Sequence, residues 1–114
     1  MSGASPITTH VLDTARGKPA AAVPVHLEWC EGHQRTSLAR GVTDACGRLH
    51  TWWQGPLRAG TYRLTFDTAT YHRAAGVDAF YPEVAIVFTV SDSEAHYHVP
   101  LLLSPFGYST YRGS

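Results

Sequence analysis

Seven histidines stand among the 114 residues, and two of them, His96 and His98, are two positions apart in an alternating segment. Side chains alternate across a strand, so both imidazoles fall on one face. Tyr97, Val99, Leu101 and Leu103 then take the other face, which reads as core. The histidine face is therefore turned to solvent or to a partner subunit. Three readings fit such a pair. It can be two exposed polar residues, half of a zinc shell, or an acid–base device, since a free imidazole titrates near ~6.5. No His-x-x-x-His spacing and no acidic residue within the motif adds to the metal reading, and Cys30 and Cys46 form no Cys-x-x-Cys. His10, in Thr8-Thr9-His10-Val11-Leu12, and Arg48, just after Gly47, stand alone. Taken singly, each reads as a structural or solvated residue. The ending Arg112-Gly113-Ser114 reads as a frayed tail.

Any such chemistry needs a frame. Short alternating runs separated by turn signals predict strands at 7–13, 23–29, 35–42, 48–52, 62–66, 84–90, 96–103 and 108–111. Val23, Val25, Leu27 and Trp29 show the period of two most cleanly. Gly17-Lys18-Pro19 predicts a turn, and residues 69–75 predict one short helix that must dock on a sheet. Seven or eight strands and one helix make two packed antiparallel sheets the economical architecture, an all-β sandwich. Residues 1–6 read as a flexible lead-in and 7–114 as one domain.

The bulk properties exclude several classes. Hydrophobic residues are 44% of the chain, enough for a packed core. Nine basic residues balance nine acidic ones with no charged block, so there is no electrostatic case for nucleic acid or an anionic membrane. A net charge near zero makes self-association unsurprising. The start Met1-Ser2-Gly3-Ala4-Ser5-Pro6 has neither a basic nor an apolar signal region. No apolar run approaches membrane-helix length. A cytoplasmic location is expected, with both cysteines reduced. There is no Gly-x-Ser-x-Gly elbow, P-loop or dinucleotide fingerprint. Composition and spacing by themselves reach a histidine-rich sandwich and stop.

Four longer strings go further. They are Thr8-Thr9-His10-Val11-Leu12-Asp13 with Gly17-Lys18-Pro19-Ala20, Asp44-Ala45-Cys46-Gly47-Arg48, Phe80-Tyr81-Pro82-Glu83-Val84, and the run from His96 through Tyr111-Arg112-Gly113-Ser114. Together they resemble the transthyretin-like family over residues 7–114. The family has a carrier branch and a hydrolase branch. The carrier branch would place Lys at His10, Glu at Arg48 and Thr at His98, and it lacks the Tyr-Arg-Gly-Ser ending. The resemblance is therefore to the 5-hydroxyisourate hydrolases of urate breakdown. It implies a homotetramer, a dimer of dimers with sites at the dimer–dimer interface, acting without metal or organic cofactor. It implies catalytic roles for His10, Arg48, His98 and Ser114, and substrate binding by His10, Arg48, Tyr111 and Arg112. Ser114 would contribute the terminal carboxylate, whose charge would raise the pKa of a nearby histidine. Two features depart from the family pattern: Cys46 replaces a commoner acidic residue, and Trp52-Trp53 is unusual and reads as packing. His50, on the face of Arg48, is a reserve candidate.

Overall fold

The structure, a computed structural model, describes residues 5–114. Strand β1 (Ile7–Asp13) is the spine of the first sheet. Its inward residues Ile7 and Val11 are fully buried. Asp13 ends the strand by chemistry rather than by pattern. Its Oδ1 accepts the backbone N–H groups of Ala15 and Arg16, which folds the chain back. The returning pair β2 (Lys18–Pro19) lies antiparallel to Leu12 and Asp13, so the turn falls before Lys18 rather than over it.

The second sheet is built from β3 (Pro24–Glu31), β4 (Gln34–Val42), β6 (Gly60–Phe66) and β7 (Val84–Val90), in the order β4-β3-β6-β7. The first sheet is completed by β5 (Arg48–Leu49), β8 (Tyr97–Ser104) and β9 (Gly107–Thr110). Its order is β2-β1-β8-β9, with β5 also pairing β1. The inner faces meet in one core that includes Leu27, Leu64 and Phe66 from the second sheet and Leu101 and Leu103 from the first. Tyr62 anchors an aromatic cluster there, edge-on to Trp29 and stacked on Phe88.

Three differences from the sequence reading have physical causes. The pairing of β1 with β8 is parallel, whereas all-antiparallel sheets were expected. The long chain between these strands supplies the crossover a parallel pair needs. Residues 48–52 pair only at Arg48 and Leu49, because Trp52 turns aside to donate its indole N–H to Ile7 O at 2.8 Å. Trp53 packs against Tyr62, so both tryptophans are structural. Helix α1 (Thr68–Ala74) starts one residue earlier than expected, because Asp67 caps it by accepting Thr70 N–H. It docks through Tyr71, whose hydroxyl donates to Asp13 Oδ2 at 2.7 Å.

The lead-in expected over residues 1–6 falls for residues 1–4 outside the described residues. Ser5 and Pro6 are tied to the frame. Ser5 N–H donates to His50 O, and Pro6 O accepts Tyr97 N–H. Among the described residues, no helix is long and apolar enough to cross a membrane.

Candidate active site

The parallel ladder brings distant residues side by side. Thr8 stands opposite His98, and His10 opposite Pro100. On the other edge of β1, His10 stands opposite Arg48. Register partners share a face. Thr9 and Val99 point inward, so Thr8, His10, Arg48 and His98 share the outer face of the first sheet. Burial agrees: Tyr97, Val99, Leu101 and Leu103 are buried, while His98 is half-buried and His96 exposed.

The loop before β5 aims Arg48. Asp44 Oδ1 accepts the backbone N–H groups of Cys46 and Arg48, each at 2.9 Å. The bond from Arg48 N–H is the main reason the Asp44 carboxyl sits below the usual carboxylate range. Gly47 takes φ +75°, and a Cβ there would run into the Val11 carbonyl oxygen. That carbonyl-to-glycine approach lets Val11 N–H donate to Gly47 O at 2.8 Å. Cys46 contributes its backbone: His10 Nε2 lies 2.9 Å from Cys46 O. A carbonyl only accepts, so His10 Nε2 carries a proton. Nδ1 is then the nitrogen of His10 left to exchange one.

His98 is held from two sides. Its Nδ1 lies 2.8 Å from Thr8 Oγ1, and the same oxygen lies 3.1 Å from His96 Nε2. On the other side Gly113 N–H donates to His98 O at 2.8 Å. Burial holds the His98 imidazole below its ordinary pKa, helped by the nearby charges of His96, Arg48 and His10. The rise that a nearby carboxylate would have caused is therefore not what the site displays. Desolvation and cationic neighbours favour the neutral ring, and a neutral ring is the form a general base requires.

Arg48 and His98 open onto a surface pocket of about 320 Å³, lined also by Thr8, Thr9, His50, His96 and Ser114, with His10 on the same sheet face but outside the lining. Tyr111 and Arg112 are not brought to it within one chain. The Arg112 guanidinium lies 4.4 Å over the Tyr97 ring, on the side of β8 opposite His98. Both residues line a separate cavity of about 270 Å³ with Phe88, Tyr97 and Val99. Thr8, Thr9, His50 and His96 line the pocket although the resemblance gives them no role. His50 is the reserve candidate beside Arg48, His96 is the partner of His98 in the pair that reads as exposed, metal-binding or acid–base, and Thr8 carries no reading of its own. The signal for Thr8 was its parity with His10, two positions on. The other histidines lie elsewhere: His26 meets Ser37 on the second sheet, and His72 is buried in α1.

The arrangement can take a proton from water, steady a developing negative charge and return a proton. Among the described residues, no group of three His, Cys, Asp or Glu side chains is placed to hold a metal ion.

Comparison with known proteins identifies the frame. Residues 7–113 match the HIUase/Transthyretin family. The 5-hydroxyisourate hydrolase of Deinococcus radiodurans is 50% identical over 119 residues, covering 100% of both chains. That of Caulobacter vibrioides is 47% identical over 118 residues, again covering 100% of both. The solved Klebsiella pneumoniae 5-hydroxyisourate hydrolase superposes with a TM-score of 0.83 at 41% identity, over 95% of this chain and 92% of that one. Sea bream transthyretin in complex with thyroxine gives 0.88 at 34% identity, over 95% and 94%. Backbone shape therefore does not separate the two branches. By its fold and by its sequence over nearly its whole length, this chain belongs to the HIUase/Transthyretin family.

Proposed function

We propose that the outer-face pocket hydrolyses 5-hydroxyisourate, opening its ring to 2-oxo-4-hydroxy-4-carboxy-5-ureidoimidazoline in urate degradation. The observation that carries this reading is the convergence of His10, Arg48 and His98 on one sheet face, in a chain half identical to a hydrolase of that name. His98, kept neutral, takes a proton from water as the oxygen attacks the ring carbonyl. Arg48, a permanent planar cation, steadies the oxyanion that forms. The C–N bond then breaks, and the departing nitrogen takes a proton from His10 at Nδ1. Acid and base steps of this kind typically contribute about 10²–10⁴-fold each. No step needs a metal or an organic cofactor.

Tyr111 and Arg112 bind substrate in this reading from a neighbouring subunit, and Ser114 closes the pocket. The reading includes a homotetramer, a dimer of dimers with sites at the dimer–dimer interface. Its support is that one chain leaves the pocket open and Tyr111 exposed, while Val87 on β7 and Tyr108 on β9 are exposed on strands paired along one edge among the described residues. It also includes a cytoplasmic location, which the free thiols of Cys30 and Cys46 suit.

The test generates 5-hydroxyisourate with urate oxidase and follows its ultraviolet decay. Purified protein should speed that decay well above the spontaneous rate, with or without a chelator. Tight binding of a small aromatic ligand without turnover would instead assign the carrier role of transthyretin.

A further inference from the structure

We propose that Thr8 is a proton relay, passing the charge taken up by His98 on to His96. The inference rests on the hydrolase reading for its consequence, though not for its geometry. Thr8 Oγ1 stands between two imidazole nitrogens, at 2.8 Å from His98 Nδ1 and 3.1 Å from His96 Nε2. A hydroxyl has one hydrogen to donate and lone pairs to accept with. Thr8 is buried and its hydroxyl has no other partner among the described residues, so its one hydrogen goes to one ring and it accepts from the other.

Two arrangements follow. In the first, His98 Nδ1–H donates to Thr8 and the Thr8 hydroxyl donates to His96 Nε2. The Nε2 lone pair of His98 is then free to take a proton. In the second, His96 Nε2–H donates to Thr8, Thr8 donates to His98 Nδ1, and His98 carries its proton on Nε2. In both, the two rings have the same tautomer. The first becomes the second when hydrogens shift along the two existing bonds while His98 Nε2 gains a proton and His96 Nδ1 loses one.

The relay completes a base step. Water gives a proton to His98 Nε2, and its oxygen becomes the nucleophile. His98 then holds two protons. Its Nδ1 proton passes to Thr8 as the Thr8 hydroxyl proton passes to His96 Nε2. His98 ends neutral with a proton on Nε2, and His96 ends as the cation. The charge has moved outward from a half-buried ring to an exposed one, where water hydrates it. Arg48 and His10, from β5 and β1, disfavour a charge left on His98, while the Arg112 guanidinium at 3.5 Å from His96 O works against the charge on His96, which solvent there screens. Thr8 itself is only 4% exposed, so bulk water does not readily take over its role.

Thr8→Val keeps the branched shape and removes the hydroxyl. Its kcat should fall about tenfold or more with KM little changed, and Thr8→Ser should restore most of the loss. His96→Gln, at an exposed position, keeps a hydrogen-bonding group but cannot hold the proton, and should lower kcat likewise. In mixtures of light and heavy water, the wild-type rate should bend with deuterium fraction, as several protons move together. Both variants should give straight lines. Nitrogen-15 spectra of the imidazoles need no substrate, and should show matched tautomers at His96 and His98 that become independent in Thr8→Val. Opposite tautomers in the wild type, or wild-type kcat and a bent plot in folded Thr8→Val, would overturn the relay. If Thr8→Val does not fold, a His96→Gln chain with wild-type kcat does so. A wild-type chain that leaves 5-hydroxyisourate decay unchanged sinks the hydrolase reading instead, and the tautomers still decide the hydrogen-bond geometry.

Discussion

Gly113 lies flat against His98. Its N–H donates to the His98 carbonyl at 2.8 Å, and a Cβ at that position would stand 2.6 Å from Cδ2 of the imidazole. The glycine is thus a wall that fits only because it has no side chain. Gly113→Ala must push the ring away from Thr8 or lift the tail off β8. We expect kcat/KM to fall about tenfold or more, since small misplacements of a catalytic group are costly. Thermal unfolding should shift little, because Gly113 packs on the outer face and not in the core. Wild-type kinetics would show that the ring is not braced by the tail.

A chain ending at Thr110 tests the same wall more severely. It removes Tyr111 and Arg112 together with Gly113 and Ser114 but leaves β9 whole. Turnover should be lost while the circular dichroism of the sandwich is kept. Unchanged turnover would remove all four residues from the site.

His98→Ala and His10→Ala should each reduce kcat by about tenfold at least. Their pH profiles should differ, since the neutral form of His98 and the protonated form of His10 are the active ones. Identical profiles for the two variants would contradict the division of roles.

The depressed His98 pKa has a definite sign. Its folded value lies below the ordinary 6.5, from burial first and then from His96, Arg48 and His10. The base form therefore persists as the medium is acidified past 6.5, and the acid limb of kcat/KM should have its midpoint below that value. Stability moves the other way. Between the two pKa values the unfolded chain binds the proton and the folded chain does not, so stability falls as pH drops through 6.5 and levels off below the folded value. Arg48→Gln should move the His98 midpoint upward in a proton NMR titration, whether or not the variant turns over. A downward move would contradict the electrostatic account.

Asp44 and Gly47 should separate aim from stability. Asp44→Ala removes the acceptor of two N–H groups on an exposed loop. It should raise KM through a misplaced Arg48 and leave the melting temperature nearly unchanged. Gly47→Ala also meets the Val11 carbonyl at positive φ, and should cost about 1–3 kcal/mol of stability. Because the Asp44 pKa is depressed, its hold on the loop is complete above the usual carboxylate range and is lost as pH falls through the folded value.

Much of this frame was legible as periodicity. Ile7 to Asp13 and Val84 to Val90 have the bounds expected of them. Alternation fixes which residues share a face, so it placed His96 and His98 outside the core. It does not carry strand direction, because a parallel and an antiparallel partner select the same alternating residues. The pairing of Thr8 with His98 was hidden for that reason. Lys18–Pro19 was too short for any period to be seen. Trp52 left its expected strand for a hydrogen bond that only the folded chain offers. The site was half legible by resemblance: His10, Arg48 and His98 meet on one face, but Tyr111 and Arg112 lie across β8 from them. Which tail residues approach which pocket depends on packing beyond a single chain.

The parallel contact between β1 and β8 also sets an order of events during synthesis. Thr8 and His98 are 90 positions apart in the chain. β1 emerges from the ribosome early and has no partner along that edge until β8 follows. Contacts of such separation form late and slowly. The second sheet, β4-β3-β6-β7, pairs only among its own strands and can assemble first. The nascent chain thus acquires its packed sheet before its chemistry, and a stalled or shortened product would carry an unpaired β1 edge exposed to aggregation.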